Sequence, residues 1–233
     1  MRKPLLAAIQ NALGEMGQNR PQVVVSSTDK EAQQMFSLMQ ALCDELAAQY
    51  DWQELLTSYT FATVPGQSAY RLPADCLRIV NQTIWDETAQ EPVCGPRSNA
   101  SWAVMRSGLG ANAVRTNYRL QGSSLILLPT PTAVHTLSFE YITAKYVLNA
   151  GDNAQKMDFA NDADGFVFPD RLITNGLKLK YLESKGLDTS AALSDYNLAL
   201  DAAKASNHSA SPIRLNKPSF PFIGVNNLPD GNW

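Results

Sequence analysis

Few side chains in this chain of 233 residues are of the types that do covalent or acid–base chemistry, and their spacing limits each of them. Asp86 and Glu87 follow Trp85. Carboxylates beside an aromatic ring are the material of a sugar-cleaving site, where one acid protonates the leaving oxygen and another serves as base or nucleophile. The plainer reading is a pair of surface acids next to a ring. Of the two histidines, His135 precedes a strand and His208 lies near the C-terminus, and neither has metal-ligand spacing with Cys, Asp or Glu. The three cysteines, Cys43, Cys76 and Cys94, lack C-x-x-C spacing and read as reduced, partly buried thiols. Asp162-x-Asp164-Gly165 invites a calcium-loop reading. With Gly165 at its sixth position, however, the first and twelfth positions fall on Ala160 and Arg171, where the loop needs Asp and a bidentate Glu. A solvated acidic turn is the expectation. No G-x-S-x-G, phosphate-binding or dinucleotide motif occurs, so no catalytic residue, cofactor or metal ligand is expected.

The net charge of −3 gives no general pull toward nucleic acid or anionic lipid. The basic residues are dispersed and do not interleave with aromatics as a nucleic-acid stacking platform would. The apolar run at residues 5–9 is too short for a signal peptide, and no stretch is long enough to cross a membrane. Without an export signal, the Asn-x-Ser/Thr sites at Asn81, Asn99 and Asn207 carry no meaning.

These residues sit in a chain that changes its periodicity twice. Residues 4–17 carry Leu5, Leu6, Ile9 and Leu13 at helical spacing, ended by Gly17. Thr28 and Glu31 have the spacing of a capping box ahead of a second helix. Its stripe is Met35, Phe36, Met39, Leu42, Cys43, Leu46, Ala47 and Tyr50. From Ser58 the period becomes two: Tyr59 and Phe61 alternate with Thr60 and Ala62, and Tyr70 and Leu72 share a face. Pro65-Gly66 fits the centre of a type II turn, which predicts a hairpin here. Further strands are expected at 77–85, 118–121, 124–128 and 136–142, with a Gly122-Ser123 turn and a short helix at 99–106 capped by Ser98. Pro129 and Pro131 close the hairpin. Residues 149–167 read as loop. Helix returns at Pro169 with Leu172, Ile173, Leu177 and Tyr181, and stops at Gly186. A last helix follows Asp188, with Leu193, Tyr196, Leu200 and Ala203.

Neither terminal helical segment has an apolar face wide enough to stand alone. The expected fold is therefore α+β: a helical bundle from residues 1–56 and 166–206, an antiparallel β-sandwich or barrel at 57–148 inserted between them, a loop at 149–165 and an extended C-terminal arm at 207–233. The arm's Pro212, Pro218, Pro221 and Pro229 break any regular element, yet Ile213, Leu215, Phe220, Phe222, Ile223, Val225, Leu228 and Trp233 are too apolar for a solvated linker.

Trp52 before a strand, then Tyr59 and Phe61, Pro65-Gly66-Gln67, and the run Tyr70-x-Leu72-Pro73-Ala74-Asp75 together resemble the head-to-tail connector (adaptor, tail tubular protein A-like) proteins of short-tailed bacteriophages. A second echo is the LILLPTP run at 125–131 with the strand at 136–142. The resemblance covers most of the chain, and its motifs are structural. It implies a virion protein, made in the host cytoplasm, that joins the portal protein of the head to the tail nozzle protein. It also implies self-association into a ring of twelve copies around the channel, through which genomic DNA passes without specific binding. Phe220, Phe222, Ile223, Leu228 and Trp233 are then the expected portal-binding residues, and Tyr59, Phe61, Pro65, Gly66, Tyr70, Leu72 and Pro73 the structural hairpin. No membrane contact is implied. Two other classes stay open: a carbohydrate-binding or glycan-cleaving tail-associated β domain, and an assembly chaperone that leaves the particle.

Overall fold

The computed structural model describes residues 3–107 and 115–207. Helix α1 (Leu5–Glu15) buries Leu5, Ala8, Ile9, Ala12 and Leu13, spaced to form one face. The first N–H groups of a helix have no partner within it, and here no side chain caps them. Instead Leu5 N–H donates to the Asp164 carbonyl (2.7 Å) and Leu6 N–H to that of Asp162 (3.1 Å). Helix α2 (Lys30–Gln49) buries Met35, Met39, Leu42, Cys43 and Leu46. The expected capping box does not form: the N-cap is Asp29, without a side-chain cap. Glu31 accepts instead from the Tyr181 hydroxyl at 2.8 Å, a long-range bond that displaces the local one.

A 3-10 turn (Gln53–Leu55) leads into β1 (Leu56–Ala62), followed by β2 (Ala69–Arg71), β3 (Cys76–Ile79), β4 (Trp85–Asp86) and β5 (Glu91–Pro92). Helix α3 (Asn99–Arg106) is capped by Ser98, whose hydroxyl accepts from Ser101 N–H. Then come β6 (Asn117–Gln121), β7 (Ser124–Leu128), β8 (Thr136–Thr143) and β9 (Val147–Leu148). The stretch expected to be loop also holds β10 (Gln155–Lys156) and β11 (Gly165–Phe166), which flank β9. Helices α4 (Asp170–Lys185) and α5 (Ser190–Asn207) close the described chain. Pro169 is the N-cap of α4, one position earlier than the sequence suggested, and Gly186 ends that helix in the left-handed region.

The Pro65-Gly66 turn forms as expected: Gly66 has φ +83° and Gln67 N–H returns to the Val64 carbonyl at 3.0 Å. It does not make a hairpin. Strand β1 pairs with β8 and β2 pairs with β7, so the turn carries the chain from one sheet to the other. Gly66 N–H donates to the Pro131 carbonyl (2.8 Å), which ties the turn to the β7–β8 connection rather than to its own continuation. The first sheet has β8 at its centre, with β1 on one flank and β3 and β4 on the other. The second has the order β2-β7-β6. Their facing residues, among them Tyr70, Tyr118, Leu125, Leu127, Leu137, Phe139 and Tyr141, form one hydrophobic core, as two packed antiparallel sheets require.

A second core joins α1, α2 and α4 with Trp52, Leu55, Ile142, Val147 and Phe166. The N- and C-terminal helices thus pack together, with the antiparallel sheets inserted between them in sequence. At Gly176 in α4, a Cβ would lie 2.7 Å from the Leu42 side chain of α2 and 3.2 Å from the Tyr196 ring of α5, so glycine is what lets three helices meet there. Arg78 on β3 fastens sheet to helix. Its guanidinium donates to Asp51 Oδ1 (3.0 and 2.8 Å) and to the carbonyls of Ala47 (3.0 Å) and Ala48 (2.6 Å), at the negative end of α2.

Candidate functional site

Of the residues singled out for chemistry, Asp86, His135, Asp162 and Asp164 have structural partners. Asp86 is buried, and its Oδ1 accepts from Thr88 and Ala89 N–H, both at 2.9 Å, closing the turn after β4. Its Oδ2 lies 2.7 Å from His135 Nδ1, which ties the approach to β8 to the turn after β4. The pair borders a cleft of about 190 Å³ that Thr63, Thr116, Pro129, Thr130 and Pro131 also line. Among the described residues Asp86 is the one carboxylate in that lining, while Glu87 is exposed. The described residues therefore do not assemble a two-acid hydrolytic site in this cleft. The Thr63 hydroxyl accepts from His135 N–H (2.8 Å) and donates to the Ala133 carbonyl (3.2 Å), which holds the approach to β8 against the end of β1.

The acidic turn at 162–164 is a strap, and sequence reasoning missed it. Asp162 accepts from Val24 N–H (3.1 Å) and Val25 N–H (2.8 Å) through Oδ1. Asp164, whose side chain is fully buried, takes Lys156 Nζ at 2.7 Å and the N–H groups of Ala160 and Asn161 at 2.8 Å on Oδ2. Burial alone would raise the Asp164 carboxyl, but the Lys156 hydrogen bond and the two backbone donors outweigh it and hold the pKa below the usual carboxylate value. No group of three or more His, Cys, Asp or Glu suited to a metal occurs among the described residues. Cys43 and Cys76 are not activated either. Burial pushes Cys43 up, and it pushes Cys76 up to about 11, the reverse of what a nucleophilic thiolate needs.

The Tyr-x-Leu-Pro-Ala-Asp run is structural throughout. The Tyr70 hydroxyl accepts from Val64 N–H (3.0 Å) and donates to the Gln67 carbonyl (2.7 Å), stapling the Pro65-Gly66 turn from within. Its ring lies 5.1 Å from that of Phe61, which stacks on Tyr59. Leu72 N–H donates to the Ser123 carbonyl and the Pro73 carbonyl accepts from Cys76 N–H, each at 3.0 Å. Asp75 accepts from the hydroxyls of Thr143 (2.8 Å) and Tyr141 (3.2 Å), with Lys145 Nζ 3.1 Å away. Burial works against the Asp75 charge, and the Thr143 and Lys145 hydrogen bonds prevail, so its pKa is lowered. Trp52 is buried, donates Nε1–H to the Leu46 carbonyl (2.7 Å) and meets Phe168 edge-on.

What the described body offers a partner is surface. Strand β1 has an open edge. Helix α5 packs through Tyr196, Ala199, Leu200 and Ala203 but turns Leu198, 73% exposed, outward, with Leu187 and Leu193 also exposed. Val64 and Val134 stand exposed on the two loops that meet at Thr63. The expected anchors Phe220, Phe222, Ile223, Leu228 and Trp233, together with His208, lie outside the described residues.

A search of curated proteins gives no match. A family model described as SU10 adaptor protein matches residues 4–216, spanning both helical ends and every sheet described above. The chain belongs to the SU10 adaptor protein family, and is thereby a structural head–tail adaptor of a phage virion.

Proposed function

We propose that this chain is the subunit of a ring that joins the portal of the head to the tail nozzle and surrounds the DNA channel. The observation that carries the reading is the family match over residues 4–216. The body supports it, because the motif residues are engaged in holding the fold and the cleft at His135 holds one acid among the described residues. The helical layer packs side to side with neighbouring copies, twelve in the complete ring. The arm beyond the described residues grips the portal through Phe220, Phe222, Ile223, Leu228 and Trp233. Apolar side chains left in water cost about 25 cal/mol per Å² of surface, so a partner groove that accepts these rings would gain affinity from several at once. The net charge of −3 suits a wall along which DNA slides without sticking.

Rings that close before the head is packed would waste subunits, so the free chain is monomeric and assembles on the portal. The test mixes purified chain with its portal and images the product by negative stain, with light scattering of each component alone. A ring on the portal and a free monomer are expected. Replacing Phe220, Phe222 and Trp233 together by Ser should leave the melting temperature unchanged and abolish attachment. A parent chain that never decorates the portal overturns the function; a triple variant that attaches normally overturns the arm's role.

A further inference from the structure

The open edge of β1 is long and unprotected. Thr63 N–H donates to the His135 carbonyl at 2.8 Å and continues the β1–β8 register. Hydrogen-bonded and non-bonded pairs alternate in an antiparallel ladder, so Thr57, Tyr59 and Phe61 point their backbone groups at β8. On the far flank of β8, the carbonyls of Glu140 and Thr136 serve Val80 and Glu87, in agreement with that phase. Ser58, Thr60 and Ala62 therefore aim three N–H and three C=O groups away from the sheet. Among the described residues, β8 is the one strand that pairs with β1.

Native edges of this length are usually blunted by a charge, a proline or a bulge. The sequence of β1, LTSYTFA, has none of these and is rich in strand-forming residues. The sandwich's other edges are dealt with: β3 is four residues long, shifts register between Cys76 and Arg78 and carries the charged Arg78. The edge of β6 is covered by the 94–97 segment, through Cys94 N–H to Thr116 and Arg97 N–H to Tyr118. Strand β5 contains Pro92 and has two residues, and β2 has three, ending in Arg71. On β1, moreover, Tyr59 and Phe61 belong to the core-side face yet remain only half-buried.

The end of α5 lies at the foot of this edge. With its amide oriented by hydrogen bonding, Asn207 accepts from Gln53 N–H at 3.2 Å and donates to Glu54 Oε2 at 3.1 Å. Lys204 Nζ sits 5.7 Å from the centre of the Tyr50 ring. The chain thus leaves the described body beside the residues that lead into β1, with 26 residues still to run. Five positions separate Gln53 from Ser58, and six separate Asn207 from Ile213. Residues 213–217, Ile-Arg-Leu-Asn-Lys, alternate apolar and polar side chains and are bounded by Pro212 and Pro218. That is the pattern of a short strand with one wet face.

We propose that residues 213–217 add to the free edge of β1 in the same chain as a parallel strand. Ile213 and Leu215 cover the half-buried Tyr59 and Phe61 rings, and Arg214 and Asn216 face water. Backbone pairing supplies the affinity and the alternate side chains the register, as in other strand additions. The proposal does not depend on the portal reading, since the expected anchors lie beyond Pro218. Docking would give those anchors a fixed point of departure.

The test is residue-resolved amide exchange on the full chain, at a concentration where light scattering shows single molecules. Ser58, Thr60 and Ala62 amides are expected to exchange slowly, with through-space proton contacts to residues 213–217. The double substitution Arg214→Pro with Leu215→Pro should speed their exchange by about a hundredfold while Tyr59 and Phe61 keep their protection. Fast exchange at the three amides in the parent, or no contacts to 213–217, overturns the proposal. Protection that rises with protein concentration assigns the edge to a second copy and overturns it equally. Protection that survives the double substitution assigns the edge to another segment.

Discussion

Replacing Asp164 by alanine should unfasten the first helix from the rest of the body. Its side chain is fully buried and collects three short contacts on one oxygen: Lys156 Nζ at 2.7 Å and two backbone N–H groups at 2.8 Å. Its own carbonyl caps α1 through Leu5 N–H at 2.7 Å, so a shift of the 160–165 backbone also frees a helix end. Removing one partner of a buried, hydrogen-bonded ion pair costs about 3–5 kcal/mol. Lys156 is 27% exposed and regains some water, which places the change near the lower end, about 3–4 kcal/mol. For a chain of this size each kcal/mol moves the melting temperature by about 2–4 °C, so a drop of about 6–16 °C is expected. Lys156→Met should cost less, because Asp164 keeps its backbone donors, and the double variant should melt close to Asp164→Ala alone. Differential scanning calorimetry with and without added calcium is the assay, and calcium should move none of these transitions. An Asp164→Ala melt within about 2 °C of the parent, or a calcium-dependent rise in the parent, would refute the strap.

Gly66→Val should cost about 1–2 kcal/mol, because φ is +83° while no neighbouring atom lies within 4 Å of the added carbon. Gly66→Asn, which tolerates that backbone better, should lose less in the same thermal melt. Acid should destabilise the body. Asp164 and Asp75 have folded pKa values below their unfolded ones, so their stabilisation is present above about pH 4 and lost as the pH falls through the lower folded values. Melting temperatures flat from neutral pH to about 5 and falling below about 4 are expected, with a shallower acid limb in Asp164→Ala; an identical limb would exclude Asp164 as a contributor.

Local periodicity made the elements legible and left their pairing hidden. The stripes of α1, α2 and α4, the Ser98 cap, the Gly122-Ser123 hairpin and the β8 alternation all follow from residues within a few positions of one another. The Pro65-Gly66 turn was legible too, but not its destination. Whether β1 meets β2 or β8 depends on Tyr70 and Pro131 taking up the turn's hydrogen bonds, and no spacing reports that. Glu31 had the right offset for a capping box and was claimed by Tyr181, 150 residues away. The strap at 162–164 was hidden for the same reason: apart from Lys156, its partners are backbone N–H groups, which leave no compositional mark. Among the chemistry-bearing residues, the placement of His135 near a strand start was readable, whereas its bond to Asp86 was not.

The order in which the helical core is assembled has a consequence during synthesis. Helices α1 and α2 pack on α4, and the end of α2 at Gln49 precedes the start of α4 at Asp170 by 121 positions. At about 5–20 residues per second the ribosome needs roughly 6–24 s to cover that distance. For that interval the Met35, Met39, Leu42 and Leu46 stripe has no α4 to cover it. The sandwich core, by contrast, draws on residues 70–141 and can close as soon as β8 emerges. The nascent chain therefore carries a finished sheet domain and an uncovered pair of helices at once, and the sticky stretch that a chaperone would find on it is the N-terminal one.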